Sequence, residues 1–156
     1  MAANAFISYD HDDQLQVAGF KLLKNNPKHP LDFRDHSLKE PVRDQYGNII
    51  KVGPDDPRSK PVRDEIKKKF ENASKLIVLI GDDTHASAWV NWEVNAFYEM
   101  KETLSKEKTW KRIRGMTLKG SDNARVPSAL YKGRSTQWLA WDPEALDKWL
   151  DQDPDA

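Results

Sequence analysis

Short apolar runs alternate along the chain with longer segments in which apolar residues recur every three or four positions. The runs predict strands at 5–9, 31–33, 75–80, 112–118 and 136–141. The helical spacing predicts helices at 15–23, 59–70, 89–105 and 143–150, with a single helical turn at 126–131. Because strands and helices alternate, we predict an α/β fold in which a mostly parallel sheet carries helices on both faces.

Two of the predicted helices begin with capping signals. Ser59 stands just before Pro61, and Asp142 stands directly before Pro143. A side-chain oxygen at the N-cap and a proline in the first turn both favour the start of a helix. We therefore expect helices to begin at these two points and the acidic tail at 151–156 to be frayed.

The longest segment without periodicity runs from about 34 to 58. It is polar and contains three prolines. Loops of this length within a compact domain are usually lids, binding loops or disordered segments. We predict an insertion or long loop here, with a small hairpin turning at 46–49 between Val42 and Val52.

Composition limits the possible classes of protein. A chain of 156 residues fits one domain, 1–156, with a single core. The 25 basic and 25 acidic residues cancel, which gives no basic field for nucleic acid or an anionic membrane. No apolar run approaches the ~20 residues of a membrane span, and the N-terminus does not resemble a signal peptide. Cysteine is absent. We therefore expect a cytoplasmic protein with neither nucleic acid nor a membrane as partner.

Glu93 is the most unusual residue of the sequence, because helical periodicity places it in the apolar face of the helix that follows the strand at 75–80. Burying a carboxylate costs several kcal/mol unless it is paired or protonated. Such a residue is either held in a structural polar network or kept for chemistry, and spacing alone slightly favours the structural alternative. Trp89, one turn earlier, covers the same patch and is a candidate wall of a pocket.

The predicted topology brings three loops together, because ligands of parallel sheets bind at the carboxyl ends of the strands. These loops are 8–13, the segment from 34 onward, and 81–87. They place the following polar and aromatic residues near one rim: Ser8, Tyr9, Asp10, Asp35 or His36, and Glu93.

Metal chemistry has little support in the sequence. Acidic residues at 10, 12 and 13 are oxygen donors suited to magnesium, but adjacent acids at a strand end are more often a cap and a solvated turn. The histidines at 11, 29, 36 and 85 lack the spacing of metal ligands. We therefore expect no metal site.

A family resemblance rests on two stretches of the sequence. The first is Phe6-Ile7-Ser8-Tyr9 with Asp13 behind it, and the second is the strand at 76–80 followed by Ser87-Ala88-Trp89-Val90-Asn91-Trp92-Glu93. Together they resemble the TIR-like domains of bacteria, most closely the TIR-like subunit of the Thoeris anti-phage defence system. The motif that matters is a tryptophan followed four residues later by a glutamate, matched by Trp89 and Glu93.

The resemblance implies a flavodoxin-like, three-layer TIR-like sandwich that cleaves NAD between nicotinamide and ribose. NAD would be a substrate rather than a cofactor, and Glu93 the catalytic residue. It also implies a cyclic ADP-ribose isomer as product, a separate effector that senses it, and homo-oligomers on activation, joined by the loop at about 34–57. The substrate-binding residues expected on this basis are Phe6, Ser8, Tyr9, Asp10, Asp35, Ser87 and Trp89.

Two other functions remain open at the level of sequence. One is a non-enzymatic TIR-like module that assembles or recruits partners, with a purely structural Glu93. The other is a receiver-like or flavodoxin-like domain, for which an aspartate should end the third strand and a lysine the fifth. Asp82 partly meets the first condition, and Gln137 does not meet the second. The absence of a GxGxxG turn argues against a hydride-transferring Rossmann enzyme.

Overall fold

The computed structural model describes residues 3–10, 33–35, 42–100, 112–121, 123–132 and 138–152. The predicted helix at 15–23 lies outside these residues. Within them the strands are β1 (Ala3–Ser8), β2 (Phe33–Asp35), β3 (Lys75–Ile80), β4 (Ile113–Thr117) and β5 (Trp138–Leu139). The α-helices are α1 (Lys60–Asn72), α2 (Ala88–Met100) and α3 (Pro143–Asp151), and shorter 3-10 turns occupy Pro57–Ser59, Thr84–Ala86 and Ser128–Lys132.

The five strands form one sheet in the order β2-β1-β3-β4-β5, and every neighbouring pair is parallel. The predicted parallel α/β fold is therefore confirmed. Because β1 pairs with β3 although β2 comes between them in the chain, the winding direction reverses between β1 and β3. Such a reversal is the place where doubly wound sheets bind their ligands, at the carboxyl ends of the strands.

Two apolar clusters cover the two faces of the sheet, which gives the predicted three layers. The cluster between the sheet and helices α1 and α2 includes Phe6, Phe70, Leu76, Val78, Ile80, Val90, Val94 and Phe97. The cluster between the sheet and α3 includes Ala5, Ile7, Ile77, Leu79, Met116, Leu146, Trp149 and Leu150. Alternate residues of β1 and β3 thus face opposite layers, as the pleat of a strand requires. The prediction that 76–80 is covered on both faces is confirmed.

The start of α1 differs from the sequence prediction. Ser59 precedes the helix, but its side chain makes no capping hydrogen bond with it. Residues 57–59 form a 3-10 turn that gives Ser59 a helical backbone conformation, and its hydroxyl instead donates to the carbonyl oxygen of Asp56 at 2.7 Å. Asp56 caps this short turn by accepting a 2.9 Å hydrogen bond from the backbone N–H of Arg58. The prediction of Ser59 as a side-chain cap was therefore wrong.

The end of α3 is fixed by a buried lysine at the start of β3. Lys75 is 2% exposed, and its Nζ donates to the carbonyl oxygens of Leu150 at 2.9 Å and Gln152 at 2.8 Å, and also to that of Trp149. The carbonyl groups at the end of a helix lack the hydrogen bond that the next turn would supply. Lys75 provides a donor for them, and the carbonyl oxygen of Trp149 also accepts from the N–H of Gln152 at 3.2 Å. At the other end of α3, Asp142 accepts from Ala145 N–H at 3.0 Å, so the predicted cap is confirmed.

The segment before α1 contains the predicted hairpin. An antiparallel bridge joins Arg43 to Ile49, and the N–H of Asp44 donates to the carbonyl oxygen of Asn48 at 2.8 Å. Gly47 takes a φ of 82°, a left-handed conformation that glycine adopts without steric cost. The hairpin exposes two large apolar side chains, Tyr46 at 79% and Ile49 at 40%.

None of the described helices is long and apolar enough to cross a bilayer.

Candidate functional site

Glu93 lies in the second turn of α2, and its side chain meets the carboxyl end of β1. Its side chain is only 8% exposed. The hydroxyl of Ser8, the last residue of β1, donates a 3.0 Å hydrogen bond to Glu93 Oε1. The chain therefore brings together two residues that are 85 positions apart, at the point where the winding direction of the sheet reverses.

The Glu93 carboxyl is held in an apolar environment. Burial raises its pKa from 4.5 to about 8, and the hydrogen bond from Ser8 only partly opposes this rise. Within the described part of the chain no cationic side chain forms an ion pair with it. The carboxyl is thus neutral in most molecules at pH 7, and a positively charged ligand beside it would favour the ionised form.

The loop between β3 and α2 is fixed by its own hydroxyl groups. Thr84 Oγ1 accepts from the N–H of Gly81 at 2.8 Å, which closes the turn after β3. Ser87 Oγ accepts from the N–H of Val90 at 3.2 Å and caps α2. Ser87, which was predicted to bind substrate, therefore makes a structural hydrogen bond. This bond fixes the start of α2 and, through it, the position of Glu93.

Trp89 connects α2 with the long segment before α1. Its indole N–H donates to the carbonyl oxygen of Val52 at 3.1 Å, and its ring packs edge-on against Trp92 with centroids 5.5 Å apart. The side chain is partly buried against the core below α2. Trp89 thus lies beside Glu93 as predicted, but its polar edge is already used within the protein.

The other aromatic residues predicted for the site lie on different sides of the sheet. Phe6 is 2% exposed and packs edge-on against Phe70 with centroids 4.8 Å apart, so its ring lies in the core below the site. Tyr9 is partly buried and packs against the cluster under α3. Strand alternation explains this, because Phe6 and Ser8 point to one face and Tyr9 to the other.

The two predicted aspartates are placed differently. Asp10 follows β1 and is partly exposed at the rim. Asp35 pairs with Ala5, so the β2 backbone places it three residues short of Ser8 along the neighbouring strand. His36 and the acidic residues at 12 and 13 lie outside the described residues. Among those that are described, no group of His, Asp and Glu side chains is arranged to hold a metal ion.

Asn91 is a positioning residue that the sequence did not reveal. Its Oδ1 accepts from the N–H of Ala129 at 2.9 Å and from the hydroxyl of Ser128 at 3.3 Å, which attaches the 128–132 turn to α2. Its Nδ2 donates to the carbonyl oxygen of Ser87 at 3.0 Å. An asparagine in the first turns of a helix carries no local signal for partners nearly 40 residues away, so only the tertiary structure identifies it.

Thr117 ends β4 at the same rim. The side chain is 5% exposed, and its Oγ1 has no hydrogen-bond partner among the residues the structure describes. Ile113, four residues earlier in the strand, belongs to the core below α2, so alternation places Thr117 on the same face of the sheet as Ser8. A threonine within a strand is too common for sequence reasoning to have singled it out.

Comparison with known families now decides the relationship. The family model described as Thoeris protein ThsB, TIR-like domain, matches residues 6–113, more than two thirds of the chain. The chain belongs to this family. The match to the Thoeris TIR-like family includes Ser8, Trp89 and Glu93, and ends within β4, before the 128–132 turn and α3. No curated protein matches the chain.

Membership of the Thoeris TIR-like family confirms the resemblance seen in the sequence. It also agrees with the observed order of strands and with helices on both faces of the sheet. The family name places the chain among proteins of the Thoeris system. The pair Ser8 and Glu93 lies within the matched region, at the edge of the sheet where a ligand of this fold is expected to bind.

Proposed function

We propose that this Thoeris TIR-like protein cleaves NAD between nicotinamide and ribose, with Glu93 as the catalytic carboxylate. We further propose that the product is a cyclic ADP-ribose isomer, a messenger that a separate effector senses during anti-phage defence. The observation that carries the proposal is the buried Glu93 carboxyl, which is oriented by Ser8 and has no cationic partner in the described part of the chain. A residue kept only for a structural ion pair would have such a partner.

The chemistry needs a negative charge beside the ribose. As the bond from ribose C1′ to nicotinamide breaks, the bonding electron pair leaves with the neutral nicotinamide ring and positive charge develops on the ribose. A carboxylate fixed in an apolar site stabilises that charge more strongly than it would in water. Ser8 orients Oε1 of Glu93, and Oε2, for which the described residues supply no hydrogen bond, is the oxygen that would face the ribose.

The burial of the site also supports capture of the ribose by the same nucleotide. If water attacks C1′, the product is ADP-ribose; if a nucleophilic group of the same nucleotide attacks, the product is a cyclic isomer with one water less. An apolar site that limits access of water favours the second route. Glu93 is 8% exposed and lies on an apolar cluster, which is the environment this route requires.

We expect copies of the protein to associate when the enzyme is active. The hairpin bridged at Arg43 and Ile49 exposes Tyr46 and Ile49, and no other large apolar side chain is exposed in the part of the chain that the structure describes. Exposed aromatic side chains are enriched at protein interfaces. Light scattering of the full chain with and without NAD, repeated with Tyr46→Ser, tests whether the hairpin contributes to association.

The proposed activity is tested with the full chain at high concentration, in buffer and in extract of infected cells. Nicotinamide release and product mass are followed by chromatography, with Glu93→Gln as the matched variant, since glutamine can still accept the bond from Ser8. Release that is lost in the variant, with a product one water lighter than ADP-ribose, supports a cyclase. A product with the mass of ADP-ribose indicates hydrolysis. Absence of release in both conditions refutes the enzyme and favours the non-enzymatic assembly module.

A further inference from the structure

The chain between the hairpin and α1 is attached to the rest of the protein at two points. At its far end, the hydroxyl of Ser59 lies 3.2 Å from the carbonyl oxygen of Pro54, and Arg63 Nε donates to Ser59 Oγ at 3.0 Å. Nearer the hairpin, the attachment is the 3.1 Å hydrogen bond from Trp89 Nε1 to the carbonyl oxygen of Val52. The first attachment is local to α1, whereas the second reaches across to α2.

The second attachment lies beside the site. Trp89 and Glu93 are four residues apart in α2, so their side chains are neighbours on the same side of the helix. The hydrogen bond therefore holds the backbone at Val52 beside the patch from which the Glu93 carboxyl projects. Trp92 braces the Trp89 ring edge-on, with the two ring planes 78° apart, which restricts the direction of the indole N–H.

We propose that Trp89 is a positioning residue, whose indole N–H holds the 50–54 segment against α2, one helical turn from Glu93. The part of this inference that concerns turnover rests on the proposed NAD cleavage. In this role Trp89 affects substrate binding only indirectly, by holding the 50–54 segment. It does not serve as the stacking wall expected from the sequence. The difference can be measured, because stacking needs only an aromatic ring, whereas holding the segment needs the N–H.

Trp89→Phe separates these roles, because it keeps an aromatic ring and removes the donor. Trp92→Phe is the matched control: it makes the same change three residues away, and among the described residues the Trp92 indole makes no hydrogen bond. The first measurement is hydrogen exchange of the amides of Ile50 and Asp56, which flank Val52 and donate to Val42 and Gly53. The amides of β3 serve as an internal reference.

We expect exchange at Ile50 and Asp56 to accelerate about fivefold in Trp89→Phe, the factor that corresponds to the loss of one ordinary neutral hydrogen bond. Exchange in β3 should stay unchanged, and Trp92→Phe, which keeps an aromatic ring beside Trp89 and removes no hydrogen bond among the described residues, should change these amides less than Trp89→Phe does. If exchange at Ile50 and Asp56 is the same in Trp89→Phe and wild type, the proposal is overturned. This result does not depend on any enzymatic activity, so it decides the holding role even if NAD is not cleaved.

The second measurement is the separation of KM from kcat with NAD as substrate. A poorly held segment should raise KM about fivefold in Trp89→Phe and change kcat by less than twofold, because the Glu93 carboxyl and Ser8 are untouched. A stacking role predicts the opposite: KM and kcat near wild type in Trp89→Phe and a loss in Trp89→Leu. That second pattern would overturn the proposal.

Discussion

The replacement Glu93→Gln should stabilise the protein at neutral and alkaline pH. The pKa of Glu93 is 4.5 in an ordinary environment and about 8 in the folded protein, because burial disfavours the charged form. As pH rises above 4.5, the unfolded chain releases this proton and the folded protein keeps it, so the free energy of unfolding falls until about pH 8. Glutamine has no proton to release and should not show this loss.

The magnitude follows from the two pKa values. Between pH 4.5 and about 8 the residue is ionised in the unfolded chain and protonated in the folded protein, and each pH unit in this range costs about 1.36 kcal/mol. The free energy of unfolding of the wild type is therefore lower by roughly 3 kcal/mol at pH 7 and by roughly 5 kcal/mol at pH 9. Glutamine has the same shape and can still accept the hydrogen bond that Ser8 donates to Oε1.

Urea unfolding of the full chain at pH 4, 7 and 9 measures this difference. Glu99→Gln, in which an exposed carboxylate of the same helix is replaced, is the control and should change the free energy of unfolding by less than about 0.5 kcal/mol at each pH. If Glu93→Gln is no more stable than wild type at pH 9, or if its advantage does not grow with pH, the reasoning is refuted. A structural, ionised Glu93 would give that result.

Four further outcomes are expected. If the ionised Glu93 carboxylate is the catalytic form, kcat/KM for NAD should rise with pH up to about 8. Ser8→Ala should move this rise to higher pH, because the hydrogen bond from Ser8 lowers the pKa of Glu93 in the wild type and is absent in the variant. A rise at unchanged pH would contradict the assignment. Lys75→Met should lower the free energy of unfolding by about 2 kcal/mol, because the last carbonyl groups of α3 lose their donor; an unchanged urea midpoint would contradict this. Asn91→Leu should speed hydrogen exchange at the Ala129 amide about fivefold, since that N–H loses its acceptor, while amides of β3 stay unchanged.

The sequence predicted the central elements of the fold because their patterns are strong. The apolar run at 75–80 became β3 without a shift, and helical periodicity correctly placed Glu93 in a buried face. The limits of the edge strands were predicted less accurately. The strand predicted to end at residue 33 continues to Asp35, and the one predicted to end at residue 141 ends at Leu139. Edge strands have a partner on one side only, so their limits depend on register more than on hydrophobicity.

The residues around Glu93 were only partly predictable. Ser8 was found because it stands at the end of the first strand, and its bond to Glu93 follows once β1 and β3 are neighbours. Alternation within β1 would have separated Phe6 and Ser8 from Tyr9, but the three were grouped by their position in the chain. The partner of Trp89, a backbone carbonyl 37 residues earlier, leaves no trace in the sequence, because any residue except its neighbours could supply it.

The contact of Lys75 with α3 sets the limits of a stable fragment. The match to the Thoeris TIR-like family ends at Ile113, the first residue of β4. A fragment cut there would lose the rest of β4, β5 and α3, and would expose Ile77 and Leu79 of β3, which are fully buried in the intact chain. It would also leave the ammonium group of Lys75 without its carbonyl partners. Ser8, Trp89 and Glu93 lie within the matched region, yet the part of the chain beyond it covers the second face of the sheet that holds them. Residues 114–152 therefore belong to the smallest fragment expected to stay folded and soluble.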